Sequence, residues 1–94
     1  MATKLSFTSR VRVNDDVLFQ ELQGEAVLLN LKTGVYFGLD KVGTRVWQLM
    51  GQNEELSGIR TAILYEYDVT EEQCSQDLLD LIGKMQEQEL VIID

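Results

Sequence analysis

From Glu25 to Met50 the chain reads EAVLLNLKTGVYFGLDKVGTRVWQLM. A strand, a tight turn, a short apolar strand and a capped helix follow one another with almost no spacer. The short strand, Val35-Tyr36-Phe37-Gly38-Leu39, is apolar on both faces. No partner strand follows it, because the chain turns helical at once. An apolar strand with one free edge invites pairing by another chain, so a small domain must either cover such an edge or use it.

The rest of the sequence orders itself around this stretch. Phe7 to Val13 alternates, with Phe7, Ser9, Val11 and Val13 on one side and Thr8, Arg10 and Arg12 on the other. That period of two predicts a half-buried strand. Asn14-Asp15-Asp16 is a turn, Val17 to Leu22 a second strand, and Gln23-Gly24 reverses it. Glu25 to Leu31 is the third strand, and its run Ala26-Val27-Leu28-Leu29 predicts burial on both faces. Leu31-Lys32-Thr33-Gly34 is a hairpin turn in which Gly34 supplies the left-handed residue of a type I turn plus bulge.

Beyond Leu39 the periodicity is helical. Asp40 is a good N-cap, Val42, Val46, Trp47, Leu49 and Met50 form a stripe, and Gly51 closes the helix. Leu56, Ile59, Ile63 and Leu64 mark a second helix that ends near Tyr65-Glu66-Tyr67. Asn53-Glu54-Glu55 gives it a weak start, and Gly58 costs it about 1 kcal/mol against alanine. Thr70-Glu71-Glu72-Gln73 is a capping box, with Val69 placed to staple onto Cys74. Cys74, Leu78, Leu81, Ile82 and Met85 give the third helix its apolar face. Leu90 to Ile93 ends the chain as a short strand or a docked tail.

The fold class is therefore α+β: an antiparallel three- to four-stranded β-meander followed by three α-helices, a winged helix-turn-helix-like arrangement. Ninety-four residues make one domain, 1–94, with 1–16 as an extra strand or docking arm. At 45% hydrophobic the chain lies above the disordered range. No run approaches the roughly 18 apolar residues of a membrane span, so no membrane partner is expected. The N-terminus lacks the apolar core of a secretory signal. Cys74, the one cysteine, cannot pair within the chain, which fits a reducing, cytoplasmic setting.

Charge divides the sequence. Residues 1–47 carry six Lys and Arg against five acids, a net of +1, whereas residues 48–94 carry only Arg60 and Lys84 against eleven acids, a net of −9. Such a C-terminal half repels a phosphate backbone and attracts a basic peptide or protein surface. A DNA-binding winged helix would use its third helix for recognition. Here that helix is expected to carry Glu71, Glu72, Asp77, Asp80, Glu87 and Glu89 against Lys84 alone, the wrong sign for phosphates.

Catalytic chemistry is equally hard to place. Without histidine there is no imidazole base or ligand. One cysteine makes no thiolate zinc site, and Gly34, Gly38 and Gly43 are too dispersed for a phosphate loop. The carboxylates of the third helix read as a solvated face or as an acidic rim. No nucleophile–base constellation exists, so no enzyme and no cofactor are expected.

What remains is a peptide-binding adaptor. An extended peptide can add a strand to the free edge formed by Val35, Tyr36, Phe37, Gly38 and Leu39. Leu78, Leu81, Ile82 and Met85 are the expected pocket residues, and Asp77, with Asp80, the expected acidic rim. Tyr36 and Phe37 point to opposite faces, and the sequence leaves open which of them meets the peptide. The alternative class is a winged-helix DNA-binding or protein-interaction regulator.

The stretch GEAVLLNLKTGVYFGLDKVGTRVWQLM, the segment EYDVTEEQ and the Leu-rich helix ending in EQELVIID together resemble the PqqD family over roughly Val17 to Ile93. That family includes pyrroloquinoline quinone biosynthesis protein D and the stand-alone leader-binding proteins of lasso-peptide clusters. The resemblance implies a RiPP recognition element, a winged-helix-like domain that binds the leader of a ribosomally made precursor peptide. The leader is expected to pair antiparallel with Val35–Leu39 and to lie against the third helix. The domain would then present it to a modifying enzyme, such as a leader peptidase or a radical SAM enzyme. The open edge also allows a strand-exchanged dimer as well as a monomer.

Overall fold

The computed structural model describes residues 5–52 and 55–94. Asn53 and Glu54, which the sequence reading places at the start of the second helix, lie outside the described residues, as do residues 1–4. Eight elements follow in the order β1 (Val11–Val13), β2 (Val17–Leu22), β3 (Glu25–Asn30), β4 (Tyr36–Leu39), α1 (Lys41–Met50), α2 (Leu56–Glu66), α3 (Glu71–Glu87) and β5 (Val91–Ile93).

The meander has three strands in the order β2-β3-β4, all antiparallel. Gln23 and Gly24 close its first hairpin, both left-handed with φ of 56° and 83°. Gly34, at φ 77°, closes the second, its N–H donating to the Asn30 carbonyl at 2.7 Å. The register sets Leu28 opposite Phe19 and Phe37, and Ala26 opposite Leu39. Those side chains share the inward face, where Ala26, Leu28 and Leu39 are buried and Phe19 stacks on Trp47 of α1 with centroids 6.4 Å apart.

The outward face corrects the expectation for β3. Val27 is 47% exposed and Leu29 only half-buried, so this strand is covered on one face and not on both. An unbroken apolar run does not say how many layers will pack on it, and Val27 and Leu29 are left without a full cover among the described residues.

The expected strand from Phe7 to Val13 also shortens, to three residues that pair with β5 as a separate two-stranded sheet. The residues before it do something else. The carbonyls of Phe7 and Ser9 accept from the N–H groups of Ser57 and Leu56 at 2.9 and 3.1 Å. The first turn of α2 has no side-chain cap, and these carbonyls satisfy its orphan donors instead. Arg60 lies over the Phe7 ring, 4.0 Å from its centroid.

The helices form as their caps and stripes dictate. Asp40 accepts from the Gly43 N–H at 2.7 Å, and Thr70 from the Gln73 N–H at 3.2 Å. The capping box is only half closed, since the Gln73 amide donates instead to Asp77, at 2.8 Å. Helix α3 buries Cys74, Leu78, Ile82 and Met85, α2 buries Leu56, Ile59 and Ile63, and these meet Leu28, Leu39 and Trp47 in one core. Fully burying each large side chain contributes about 1.5–3 kcal/mol.

Asn30 joins the sheet to the end of α3. Only 1% exposed, it donates from its side-chain amide to the Glu89 carbonyl at 2.9 Å and accepts from the Lys32 and Thr33 N–H groups at 2.9 and 3.2 Å. Glu89 is left-handed, with φ 58°, and its carbonyl also accepts from the Asn14 amide at 2.8 Å. The start of β4 is thereby held beside the C-terminal end of α3.

Candidate peptide-binding groove

Among the described residues, strand β4 pairs with β3 alone, on one side. The Asn30 N–H donates to the Val35 carbonyl at 3.0 Å, and the register continues through Leu28 with Phe37 and Ala26 with Leu39. Antiparallel pairing alternates direction residue by residue. The main-chain groups of Val35, Phe37 and Leu39 therefore turn toward β3, and those of Tyr36 and Gly38 toward the open edge. Side chains alternate the other way: Phe37 and Leu39 face inward, and Tyr36, 70% exposed, faces outward.

Beside this edge lies a cavity of about 530 Å³ between β4 and α3. Phe37, Gly38 and Leu39 form one wall, and Asp77, Leu78, Asp80, Leu81 and Lys84 the other. The deep end is closed by Asp40, by Val42, Gly43 and Val46 of α1, and by Ile63, Tyr67, Val69 and Cys74. β2 also presents an outer edge; the cavity that its Glu21 lines is about half as large, about 260 Å³. The cavity beside β4, apolar with a few charged groups at the rim, is in the range of about 300–1,000 Å³ that binding sites occupy.

The structure brings together seven of the residues singled out from the sequence: Phe37, Gly38, Leu39, Asp77, Leu78, Asp80 and Leu81 all line this cavity. Tyr36 lies on β4, and Val35, expected to begin that strand, immediately precedes it; both are outside the lining. Ile82 and Met85 are fully buried at 0% exposure and sit in the core behind the groove wall. The residues at the deep end were not anticipated. Their signal was connectivity: α1 begins one residue after β4, so its first turn has to border whatever β4 borders. Gly43 shows how close that approach is, since a Cβ there would stand 3.2 Å from both Asp40 Oδ1 and Leu39 Cδ2. Tyr67 and Val69 sit in the link that delivers the chain to the N-terminus of α3, so they close the same end.

Chemically the groove is quiet. Burial pushes the Cys74 thiol up, the Arg60 cation opposing only in part, so Cys74 is an apolar wall residue and not a thiolate nucleophile. Among the described residues no group of three or more His, Cys, Asp or Glu is placed to hold a metal ion. No described helix is long and apolar enough to cross a membrane. What the groove offers is an apolar floor, two main-chain groups' worth of unpaired strand and a charged rim.

A winged-helix-like domain with an open strand beside an apolar groove is thus the class of protein defined by the fold and the site. The chain belongs to the PqqD family: the family model described as coenzyme PQQ synthesis protein D matches residues 25–91. Among solved structures it is similar to TbiB1, solved in complex with the TbiA(beta) leader peptide, at 38% identity and a TM-score of 0.80, covering 85% of this chain and 93% of that one. It shares its fold with a lasso peptide synthetase B1 complexed with the leader peptide, at 18% identity and a TM-score of 0.72, covering 88% and 98% of the two chains. No curated protein matches the sequence.

Proposed function

We propose that this protein is a non-catalytic adaptor that binds the leader of a ribosomally made precursor peptide and presents it to a modifying enzyme. The observation that carries this reading is the cavity of about 530 Å³ running along the unpaired edge of β4. A leader strand pairs with the main-chain groups of Tyr36 and Gly38, and every second side chain enters the groove between Phe37 and Leu39 on one side and Leu78 and Leu81 on the other. Val35 and Leu39 bound the paired segment, Asp77 stands at the rim, and Ile82 and Met85 hold the helix wall in place from behind. Membership of the PqqD family and the leader-bound state of TbiB1 support this assignment. The enzyme served is of the leader peptidase or radical SAM class.

The DNA-binding reading finds no support. Helix α3 presents Glu71, Glu72, Asp77, Asp80 and Glu87 at its exposed positions, and phosphates would be repelled there.

Affinity has to come from few contacts. Micromolar binding corresponds to about 8 kcal/mol net, and ordering a flexible leader costs about 2–5 kcal/mol more. Main-chain pairing and the apolar anchors together must therefore supply about 10–13 kcal/mol. The test is a titration of the labelled leader, with the TbiA(beta) leader as a related probe. Saturable binding at micromolar concentration or tighter is expected. Phe37→Asp and Leu81→Asp should each weaken it at least tenfold. Leu78 is a less clean probe because it is only 4% exposed and belongs to the core as well. Unchanged affinity in both variants contradicts the groove placement.

A further inference from the structure

We infer that the groove selects a peptide whose charge changes sign along its length, with a basic residue first and an acidic residue about two to three positions later. This rests on the adaptor reading and names the class of leader that fits it.

The groove has a polarity fixed by the fold. Asn30 faces Val35 at the start of β4 and bonds to Glu89 just past the end of α3. The far end of the cavity, beyond Leu39, is lined by Val69 and Cys74 at the start of α3. Strand β4 and helix α3 therefore run in opposite directions along the two walls. On the helix wall the rim reads Asp77, Asp80, then Lys84, with apolar Leu81 between. Asp40 stands at the same end as the two helix acids. One end of the groove is anionic and the other carries a single cation.

These charges are available. The Asp77 carboxylate accepts from the neutral Gln73 amide, and the side chains of Asp80 and Lys84 make no ion pair or hydrogen bond with another described residue.

Strand direction converts this into sequence. The sheet is antiparallel throughout, and antiparallel pairing is the stronger per residue. A peptide antiparallel to β4 enters at the Leu39 end and leaves at the Val35 end. Its N-terminal part meets Asp77 and Asp80, and its C-terminal part meets Lys84. With a helical rise of about 1.5 Å per residue, Lys84 lies roughly 6 Å beyond Asp80 and roughly 10 Å beyond Asp77. An extended peptide spans about 3.3 Å per residue, so the complementary charges fall about two to three residues apart.

The effect is a preference and not a gate. Exposed pairs each shift affinity by about one- to fivefold, and salt near 0.1 M screens them beyond about 10 Å. Reversing the whole pattern turns every attraction into repulsion, for an expected change of about tenfold at low salt.

The test is a selection from a displayed library of random peptides at low salt, run on the wild-type protein and on the variant Asp77→Lys, Asp80→Lys, Lys84→Glu, with Lys84→Glu alone as a second variant and circular dichroism to verify folding. Wild type should enrich basic-then-acidic sequences around an apolar core, and the triple variant the reverse order. A selected peptide and its charge-swapped twin should differ about tenfold in Kd on wild type, with the ratio reduced by Lys84→Glu and collapsing at high salt. If both twins bind equally and both are lost in Phe37→Asp, the charge register is wrong and the adaptor reading stands. If no enriched peptide depends on Phe37, the adaptor reading falls and this inference with it.

Discussion

The two sheets of this domain are built from the same kinds of residue and end up in opposite conditions. The β1–β5 pair is held against the core: Val11, Val91 and Ile93 are buried, and its ends are tied by Asn14 N–H to the Leu90 carbonyl at 3.0 Å and Asp94 N–H to the Arg10 carbonyl at 2.9 Å. The β2–β3–β4 sheet is covered on one face only. It leaves Leu18, Val27 and Tyr36 at 54%, 47% and 70% exposure and keeps the outer edge of β4 unpaired. Similar apolar chemistry is thus largely packed away in one sheet and left exposed in the other. The difference is topological: β5 returns to cover β1, whereas β4 runs straight into α1 and nothing in the described chain returns to its edge.

Substitutions on the two faces of the β2–β3–β4 sheet should separate packed from exposed apolar residues. Leu28→Ala, on the inward face at 0% exposure, should cost about 2–5 kcal/mol of unfolding free energy, read by denaturant titration. Tyr36→Ala on the outward face should change stability by less than about 0.5 kcal/mol. Comparable losses at the two positions would break the comparison. Asn30→Ala comes next, at about 1–3 kcal/mol, because three part-buried hydrogen bonds, to the Lys32 and Thr33 N–H groups and the Glu89 carbonyl, are lost together. Since Asn30 also aligns β4 with α3, that variant should weaken leader binding as well.

Phe37→Asp should invert the pattern, losing at least tenfold in leader affinity, or about 1.4 kcal/mol, with a smaller loss of stability than Leu28→Ala. A smaller gain is expected from Gln23→Asn. An ordinary side chain pays roughly 1–2 kcal/mol in the left-handed region, which asparagine tolerates better, so the melting temperature should rise slightly with leader binding untouched.

The subtlest effect lies in pH. The Arg45 guanidinium grips Glu66 at 2.7 and 2.8 Å, and these hydrogen bonds hold the Glu66 carboxyl below its usual range. A carboxyl whose pKa falls on folding stabilises the fold above its unfolded value, near 4.5, and that contribution disappears as pH falls through the lower folded value. Glu66→Gln should therefore flatten the acid limb of the stability profile below about pH 4.5 and leave neutral-pH leader binding unchanged.

Much of this was legible in the sequence. The Asp40 and Thr70 caps, the stripes of α1, α2 and α3 and the Gly34 hairpin are local signals, each decided within a few residues. So was the free edge of β4, since a strand followed at once by a helix cap has no neighbour of its own to pair with. Other features depend on distant partners. The pairing of Val11 with Ile93 spans nearly the whole chain, and nothing near Phe7 announces that its carbonyl caps α2. The exposure of Val27 could not be read because an apolar run is silent about a missing layer. The roles of Tyr36 and Phe37 had to wait for the register, which turns Phe37 toward the groove and Tyr36 away from it. The deep end of the groove, with Val42, Tyr67 and Val69, exists only once three helices have met.

The central claim is that the open edge of β4 receives the leader as an added strand. Site-resolved amide hydrogen exchange, with and without the leader, tests it most directly. Only Tyr36 and Gly38 in β4 aim their N–H groups at the edge, so their exchange should slow markedly on binding, while that of Phe37, already directed toward β3, changes far less. Saturable leader binding with no change at Tyr36 and Gly38 would contradict strand addition.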